Sequence, residues 1–334
     1  MIRRVAVITA AAALAAVLAS CSTPLGYRDY RPPATLVSPS ASSTVAHAKL
    51  TTQVAGYFGV YDKDNPHSYR RINQFAQAAG VKPNIVLYYA GLSGGLQMSL
   101  ADLAQANGAT VAIYLDPVGR TGKGVSLSKI VNGHYDSHLK YFADQVRTFG
   151  RSVIISFGHE MNGDWYPWGY TKQSPAIWVK AWRHIVNLFR KEGADNVTWM
   201  WTINGLSPGE GPIRDWWPGD KYVDWTAFDA YYYHADQTFT STFGPTIAAI
   251  RKITKKPILI GETAVGQVAG QAAKIPGLIA GVHRARLLGF IWFDIPQSGS
   301  IYHQDWRLET NPAALTAFRQ AAKRYLNNLT RPNG

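Results

Sequence analysis

Two acidic residues stand at the ends of short apolar runs, and what surrounds them suggests a chemistry. In Ser152–Gly169, SVIISFGHEMNGDWYPWG, the run Ser152–Phe157 reads as a buried strand that stops at Gly158. His159 and Glu160 follow at once, then a loop carrying Trp165, Tyr166 and Trp168. In PILIGET, Pro257–Thr263, Glu262 closes a second buried strand. Cleaving a glycosidic bond requires one carboxyl to protonate the leaving oxygen and a second to attack the sugar or activate water. Flat indole and phenol rings nearby can stack on the C–H faces of sugar rings. The pattern therefore points to hydrolysis of a sugar chain, provided the fold brings Glu160 and Glu262 together.

Other acids also follow apolar runs. Asp62, Asp116 and Asp294 are expected to serve as caps, turn residues or hydrogen-bonding supports, and Asp229, two residues before Tyr231, to anchor its neighbours. His134, His138, His234 and His303 show no ligand-like spacing and read as surface or loop residues; no cofactor is expected.

The elements that must position these groups alternate in type. Strand candidates are Val54–Tyr61, Ile85–Ala90, Thr110–Leu115, Ser152–Phe157, Val197–Thr202, Trp225–Tyr231, the run from Pro257, and Phe290–Phe293. Helical spacing marks Ser68–Ala79, Tyr135–Phe149, Pro175–Arg190, Phe243–Lys252, Ala272–Leu288 with a break expected at Pro276-Gly277, and Pro312–Leu329. Eight strands separated mostly by helices predict an α/β fold, a (β/α)8 TIM barrel in one catalytic domain over 51–334. An open doubly wound sheet is the alternative, but no Gly-rich phosphate loop follows the first strand. In barrels the C-terminal strand ends build the active site. The fourth and seventh strands lie across the mouth from each other, which would place Glu160 and Glu262 on either side of one bond.

Composition agrees without being decisive. The chain has 334 residues, 46% hydrophobic, with 11 Trp and 18 Tyr, more rings than a plain scaffold needs. Lys and Arg number 34 against 21 Asp and Glu, giving +13, yet no dense basic block is present. A scattered excess argues against a nucleic-acid groove and suits life near an anionic surface.

At the N-terminus, Arg3 and Arg4 precede the apolar run Val5–Leu18, which is too short to span a bilayer of about 20 residues and reads as an export signal. It ends in Leu18-Ala19-Ser20-Cys21, which resembles the bacterial lipobox. That resemblance implies a signal peptide over 1–20, lipidation of Cys21 and a lipoprotein held at the membrane facing outward, with ordinary secretion as the alternative. Cleavage there removes Arg3 and Arg4 and lowers the charge from +13 to +11. Cys21 is the only Cys, so the mature fold can hold no internal disulfide. Residues 21–50, rich in Ser, Thr, Pro and Ala, read as a flexible tether. A monomer is expected.

Three stretches carry a more specific likeness. GHEMNGDWYPWG (Gly158–Gly169), WWPGDKYVDWTAFDAY (Trp216–Tyr231) and GET (Gly261–Thr263) resemble glycoside hydrolase family 26, which includes many β-mannanases. The resemblance implies a (β/α)8 barrel and retaining, endo-acting cleavage of a β-linked polysaccharide, most readily β-1,4-mannan, without a metal. It matches Glu160 to the general acid/base and Glu262 to the nucleophile. It also matches His159 to the His before the acid, Trp165 to a substrate-stacking Trp and Tyr231 to a Tyr that bonds the nucleophile, so that these three and Trp292 are expected to bind substrate, with a structural hydrogen-bonding role as the alternative for His159. Trp292 is similar to the aromatic floor at the end of strand eight. Two positions depart: Ser156 stands where many members carry Arg, and Ala264 where Gly is frequent. Both bear on the sugar bound more than on the reaction. Mixed-linkage glucan, β-1,3-xylan or a wall polymer are the alternative substrates. A non-catalytic sugar-binding lipoprotein on the same barrel is the reading from another class.

Overall fold

The computed structural model describes residues 50–65, 68–206, 212–297 and 303–326. The expected signal peptide, the expected lipidation at Cys21 and nearly all of the expected tether lie outside the described residues. Among those described, no helix is long and apolar enough to cross a membrane.

Eight parallel strands close into a barrel in chain order, with the eighth pairing back onto the first. They are β1 (Tyr57–Tyr61), β2 (Ile85–Gly91), β3 (Thr110–Asp116), β4 (Val153–Phe157), β5 (Val197–Asn204), β6 (Trp225–Asp229), β7 (Ile258–Thr263) and β8 (Gly289–Phe293). The (β/α)8 architecture read from the alternation is the observed one. Around it lie α1 (Arg70–Ala79), α2 (Met98–Ala106), α3 (Leu127–Val131), α4 (Asp136–Phe149), α5 (Pro175–Lys191), α6 (Phe239–Arg251), α7 (Gln271–Arg284) and α8 (Pro312–Tyr325). Two-residue strands β9 (Pro296–Gln297) and β10 (Gln304–Asp305) pair beside the mouth.

Several boundaries differ from the sequence reading for local reasons. Helix α6 starts four residues earlier than expected, because Thr238 and Ser241 form a reciprocal capping box ahead of Phe239. Helix α7 runs unbroken through Pro276, which lies only a turn and a half from its start. Helices α2 and α3 were not expected. Between β5 and β6 the described chain forms only the 3-10 turns Arg214–Trp216 and Asp220–Tyr222.

Strand alternation sorts side chains between two layers. Outward residues meet helices: Phe58 packs on Phe75 of α1 and Phe318 of α8, Phe157 on Trp178 of α5, and Phe228 on Phe243 of α6. Inward residues fill the barrel. Tyr57 and Trp225 plug its N-terminal end with ring centroids 4.9 Å apart. Above them Gly59 must lack a side chain, since a Cβ there would come within 2.7 Å of Ile291 Cγ1. Nine Trp of the eleven are fully buried, so the Trp content mainly reflects packing between strands and helices and not a ring-lined cleft.

Strand β7 departs from regular alternation. Phe228 and Asp229 of β6 pair with Ile260 and Glu262, and the register against β8 also gains a residue between Ile260 and Thr263. The extra residue is a β-bulge at Gly261-Glu262. Through it both residues face the barrel mouth, where strict alternation would turn one of them outward.

Candidate functional site

Glu160 owes its position to a sharp exit from β4. Gly158 (φ 51°) breaks the strand, and its own N–H donates to Leu115 O at 2.9 Å. A side chain there would also press on Trp178 Nε1. Glu160 then adopts φ 51°, a left-handed conformation uncommon for a non-glycine residue. Its amide is fixed to Thr202 O on β5 at 3.0 Å. Backbone strain of this kind persists where surrounding contacts over-determine it, and such positions cluster at functional sites. Trp165 Nε1 donates to Glu160 Oε2 at 3.0 Å while the indole stays partly exposed, so the stacking ring and the acid are linked.

Glu262, brought inward by the bulge, has a hydroxyl on each oxygen. Tyr231 donates to Oε2 at 2.5 Å and Tyr89 donates to Oε1. Burial raises its pKa, and this is opposed by the positive charge of His159 and by the two phenols, with the first opposing influence the largest. Gly261 has to be glycine, since a Cβ would collide with the Tyr114 hydroxyl and the Asp229 carboxylate.

His159 lies near Glu262, and neither of its ring nitrogens is left for a sugar. Nδ1 is 2.9 Å from Asp116 Oδ1, and Nε2 is 3.0 Å from the Tyr166 hydroxyl. Tyr166 stacks on Trp168 (4.3 Å, 8° between planes), and Trp168 Nε1 donates to His159 O at 2.7 Å. Burial pulls the imidazole pKa down, but Asp116, Glu160 and Glu262 together outweigh it, so the value is raised. His159, expected to bind substrate, instead braces the site through both ring nitrogens and its carbonyl. Asp116 is the hydrogen-bonding support expected of it.

Asp229 anchors neighbours, as read. It accepts from the Tyr114 hydroxyl at 3.0 Å, and burial, then the charges of Glu262 and Glu160, push its pKa well up. His159, Asp229 and Glu262 each offer an atom within 4.8 Å of the others, the spacing of a metal site. Both ring nitrogens of His159 and both oxygens of Glu262 already have protein partners, so the donor set fits a proton and hydrogen-bond network better than a metal cage.

Trp292 requires a correction. It points away from the mouth: it is fully buried, its ring meets Phe318 of α8, and its Nε1 donates to Trp306 O at 3.0 Å. Alternation assigns the mouth to the next residue. Phe293 stacks on Tyr61 at 4.9 Å and meets Tyr231 edge-on at 5.6 Å. Tyr89 was missed altogether, although it shares the inward parity of Ile85 and Leu87 and lies near the strand's C-terminal end. Tyr231 fulfils its expected bond to Glu262 and packs 4.9 Å from Trp306.

The site is thus a floor of two buried glutamates with a His–Asp pair beside them, rimmed by partly exposed Tyr89, Trp165, Tyr231 and Tyr233. Comparison with known proteins gives the following matches. The profile of glycosyl hydrolase family 26 matches residues 128–320. Endoglucanase H of Acetivibrio thermocellus is 30% identical over 267 residues, covering 75% of this chain and 28% of that protein. A mannan endo-1,4-beta-mannosidase of Bacillus subtilis is 26% identical, covering 60% of this chain and 49% of its own length. The chain therefore spans half or less of these curated relatives. Among solved structures, the YdhT protein from Bacillus subtilis superposes with a TM-score of 0.60 at 19% identity, covering 85% of this chain and 88% of that one. At that identity the likeness speaks for the barrel alone.

Proposed function

We propose that this chain, which belongs to glycosyl hydrolase family 26, is a retaining, endo-acting hydrolase of a β-linked polysaccharide, with β-1,4-mannan as its substrate. The observation that carries the reading is the pairing of two buried carboxyls at the ends of β4 and β7. One is held by an indole N–H and the other by two phenols. Likeness to the mannan endo-1,4-beta-mannosidase supports the choice of sugar.

The chemistry follows from the placement. Glu160, protonated, gives its proton to the glycosidic oxygen as a Glu262 carboxylate oxygen attacks the anomeric carbon from the opposite face. The carbon–oxygen bond to the leaving sugar breaks and a glycosyl ester forms on Glu262. Water then attacks the same carbon, Glu160 takes its proton, and the ester bond to Glu262 breaks. The phenols of Tyr231 and Tyr89 favour the charged, attacking form of Glu262. Trp165 offers a ring for the sugar face beside the acid.

A second reading, hydrolysis of a mixed-linkage or other β-glucan, is supported by the likeness to Endoglucanase H and by the Ser156 and Ala264 departures. Ser156 lies inside the barrel, hydrogen-bonded to Thr202 at 2.8 Å, where it fills far less space than an Arg. A panel of β-glycans with product-size analysis, run on wild type, Glu160→Ala and Glu262→Ala, decides between them. Depolymerisation of glucan but not mannan transfers the assignment to the second reading. Binding without any depolymerisation removes the enzyme reading and leaves a sugar-binding protein. Glu160→Ala should lose about 10²–10⁴ in polysaccharide turnover but keep activity on aryl glycosides, whose leaving groups need no protonation.

The protein acts, on this proposal, as a monomer at the outer surface of the cell membrane, held by a lipid on Cys21. Support is the lipobox-like Leu18–Cys21. Cys21→Ser should release it from the membrane fraction, and retention there would count against lipidation.

A further inference from the structure

The end of the barrel opposite the glutamates carries a concentration of positive charge. Tyr222, in the turn leading into β6, has Lys221 Nζ 4.9 Å, Arg183 Cζ 5.2 Å and Arg190 Cζ 5.9 Å from its ring centroid. The two arginines come from α5 and are fixed by backbone carbonyls: Arg183 donates to Pro218 O and Arg190 to Lys221 O, each at 2.8 Å. Among the described residues none of the three forms an ion pair with a carboxylate. The phenol of Tyr222 is lowered in pKa, first by its hydrogen bond with Lys221, as expected of a ring in a positive field.

The charge continues onto the next turn. Thr254 donates to Asp220 Oδ1 at 2.9 Å and Arg214 donates to Lys252 O at 2.9 Å, which joins the turn bearing exposed Lys252 and Lys255 to the same surface. Asp195, Asp215 and Asp220, exposed in turns at this end, interrupt it. The helix macrodipole accounts for cations in a last helical turn, such as Arg190. It does not account for Lys221 and Lys255, which sit in connecting turns, or for Arg183 in the middle of α5.

The preceding chain joins the barrel at this end. Thr51 O accepts from the Tyr57 hydroxyl at 3.0 Å, and Tyr57 packs on Trp225, three residues after Tyr222. The acids Asp116, Glu160, Asp229 and Glu262 gather at the other end.

We propose that this basic flank docks the barrel on an anionic phospholipid surface, with the mouth turned outward. Headgroup phosphates supply the counter-charges that the protein itself does not provide. The segment that the sequence reading ties to a membrane at Cys21 approaches from the same side. From Cys21 to Leu50 the chain can reach at most roughly 100 Å when extended, so a tethered barrel remains close to that surface. The attracted basic flank, on the side from which the tether arrives, then sets one orientation. The proposal is independent of which glycan is cut.

The test uses the full chain and vesicles of phosphatidylcholine, with and without phosphatidylserine. Wild type should partition more strongly onto the anionic vesicles, and high salt should remove the difference. Each surface cation contributes about fivefold, so Arg183→Gln/Arg190→Gln/Lys221→Gln together should weaken anionic partitioning on the order of a hundredfold. Soluble-glycan activity, whose residues are untouched, reports that the variant is folded. Lys252→Gln/Lys255→Gln, which leaves α5 intact, should weaken partitioning in the same direction. Equal binding to neutral and anionic vesicles, or charge variants that bind like wild type, would overturn the proposal. So would a preference for a soluble polyglycerol phosphate over the vesicles, which would assign the flank to a wall polymer.

Discussion

The Tyr231 hydroxyl lies 2.5 Å from Oε2 of Glu262, and Tyr89, arriving from β2, takes the other oxygen of the same carboxylate. A nucleophile held at both oxygens is oriented as well as charged. Hydrogen bonds to ionised groups contribute about 1.5–3 kcal/mol, so Tyr231→Phe should reduce kcat by roughly 10–100-fold. Tyr89→Phe should act in the same direction. Losses in the double variant smaller than the product of the two would show that the phenols act on one group. Unchanged kcat in both single variants would remove them from the mechanism.

The neighbouring carboxylates favour a positive charge on His159, and that charge opposes the burial that raises the Glu262 pKa. Activity requires ionised Glu262, so it should fall as pH drops through that raised value. His159→Gln keeps hydrogen-bonding capacity but removes the charge, so the acid limb of the kcat/KM profile should move to higher pH. A limb that stays in place, with only KM changed, would return His159 to the substrate-binding role first expected of it.

Asp229 makes a prediction about stability. Its pKa is raised in the fold, so between its ordinary value near 3.9 and the raised value the native state binds more protons than the unfolded one. Stability from this group is therefore fully present at acid pH and declines as pH rises through that window. Asp229→Asn, which still accepts from Tyr114, should flatten this decline and leave the neutral-pH unfolding midpoint equal or higher. A lower midpoint with an unchanged slope would contradict the assignment.

Trp292 separates packing from binding. Trp292→Phe removes a buried hydrogen bond to Trp306 O and leaves a cavity against Phe318, costing about 1–3 kcal/mol of stability. KM for the polysaccharide should remain near wild type. A large KM increase without destabilisation would place Trp292 in the cleft after all.

What could be read in advance follows from where information sits in a strand. Glu160, Tyr231 and Glu262 were legible because each follows an apolar run, and in a closed parallel barrel the run's end is the mouth. Trp292 was misassigned and Tyr89 overlooked because proximity to the strand end was considered without parity. A shift of one residue reverses which layer a side chain joins, and β8 turns Phe293 inward, not Trp292. The roles of Asp116 and His159 depended on a contact 43 residues apart in sequence, which no local pattern discloses. Helices α2 and α3 were too short for their periodicity to stand out.

The bulge in β7 gives this barrel an unusual kind of fragility. Whether it cuts a polymer depends on an odd or even count of residues between Ile260 and Glu262. Straightening the bulge, so that Gly261 takes the place opposite Asp229 and Glu262 the next one, would leave every strand its partners and nearly all of the buried apolar surface intact, yet swing the carboxylate toward the helices. Such a protein could fold, retain its aromatic rim and hold a sugar without breaking it. On this scaffold, an enzyme and a lectin-like relative can be separated by one step of strand register.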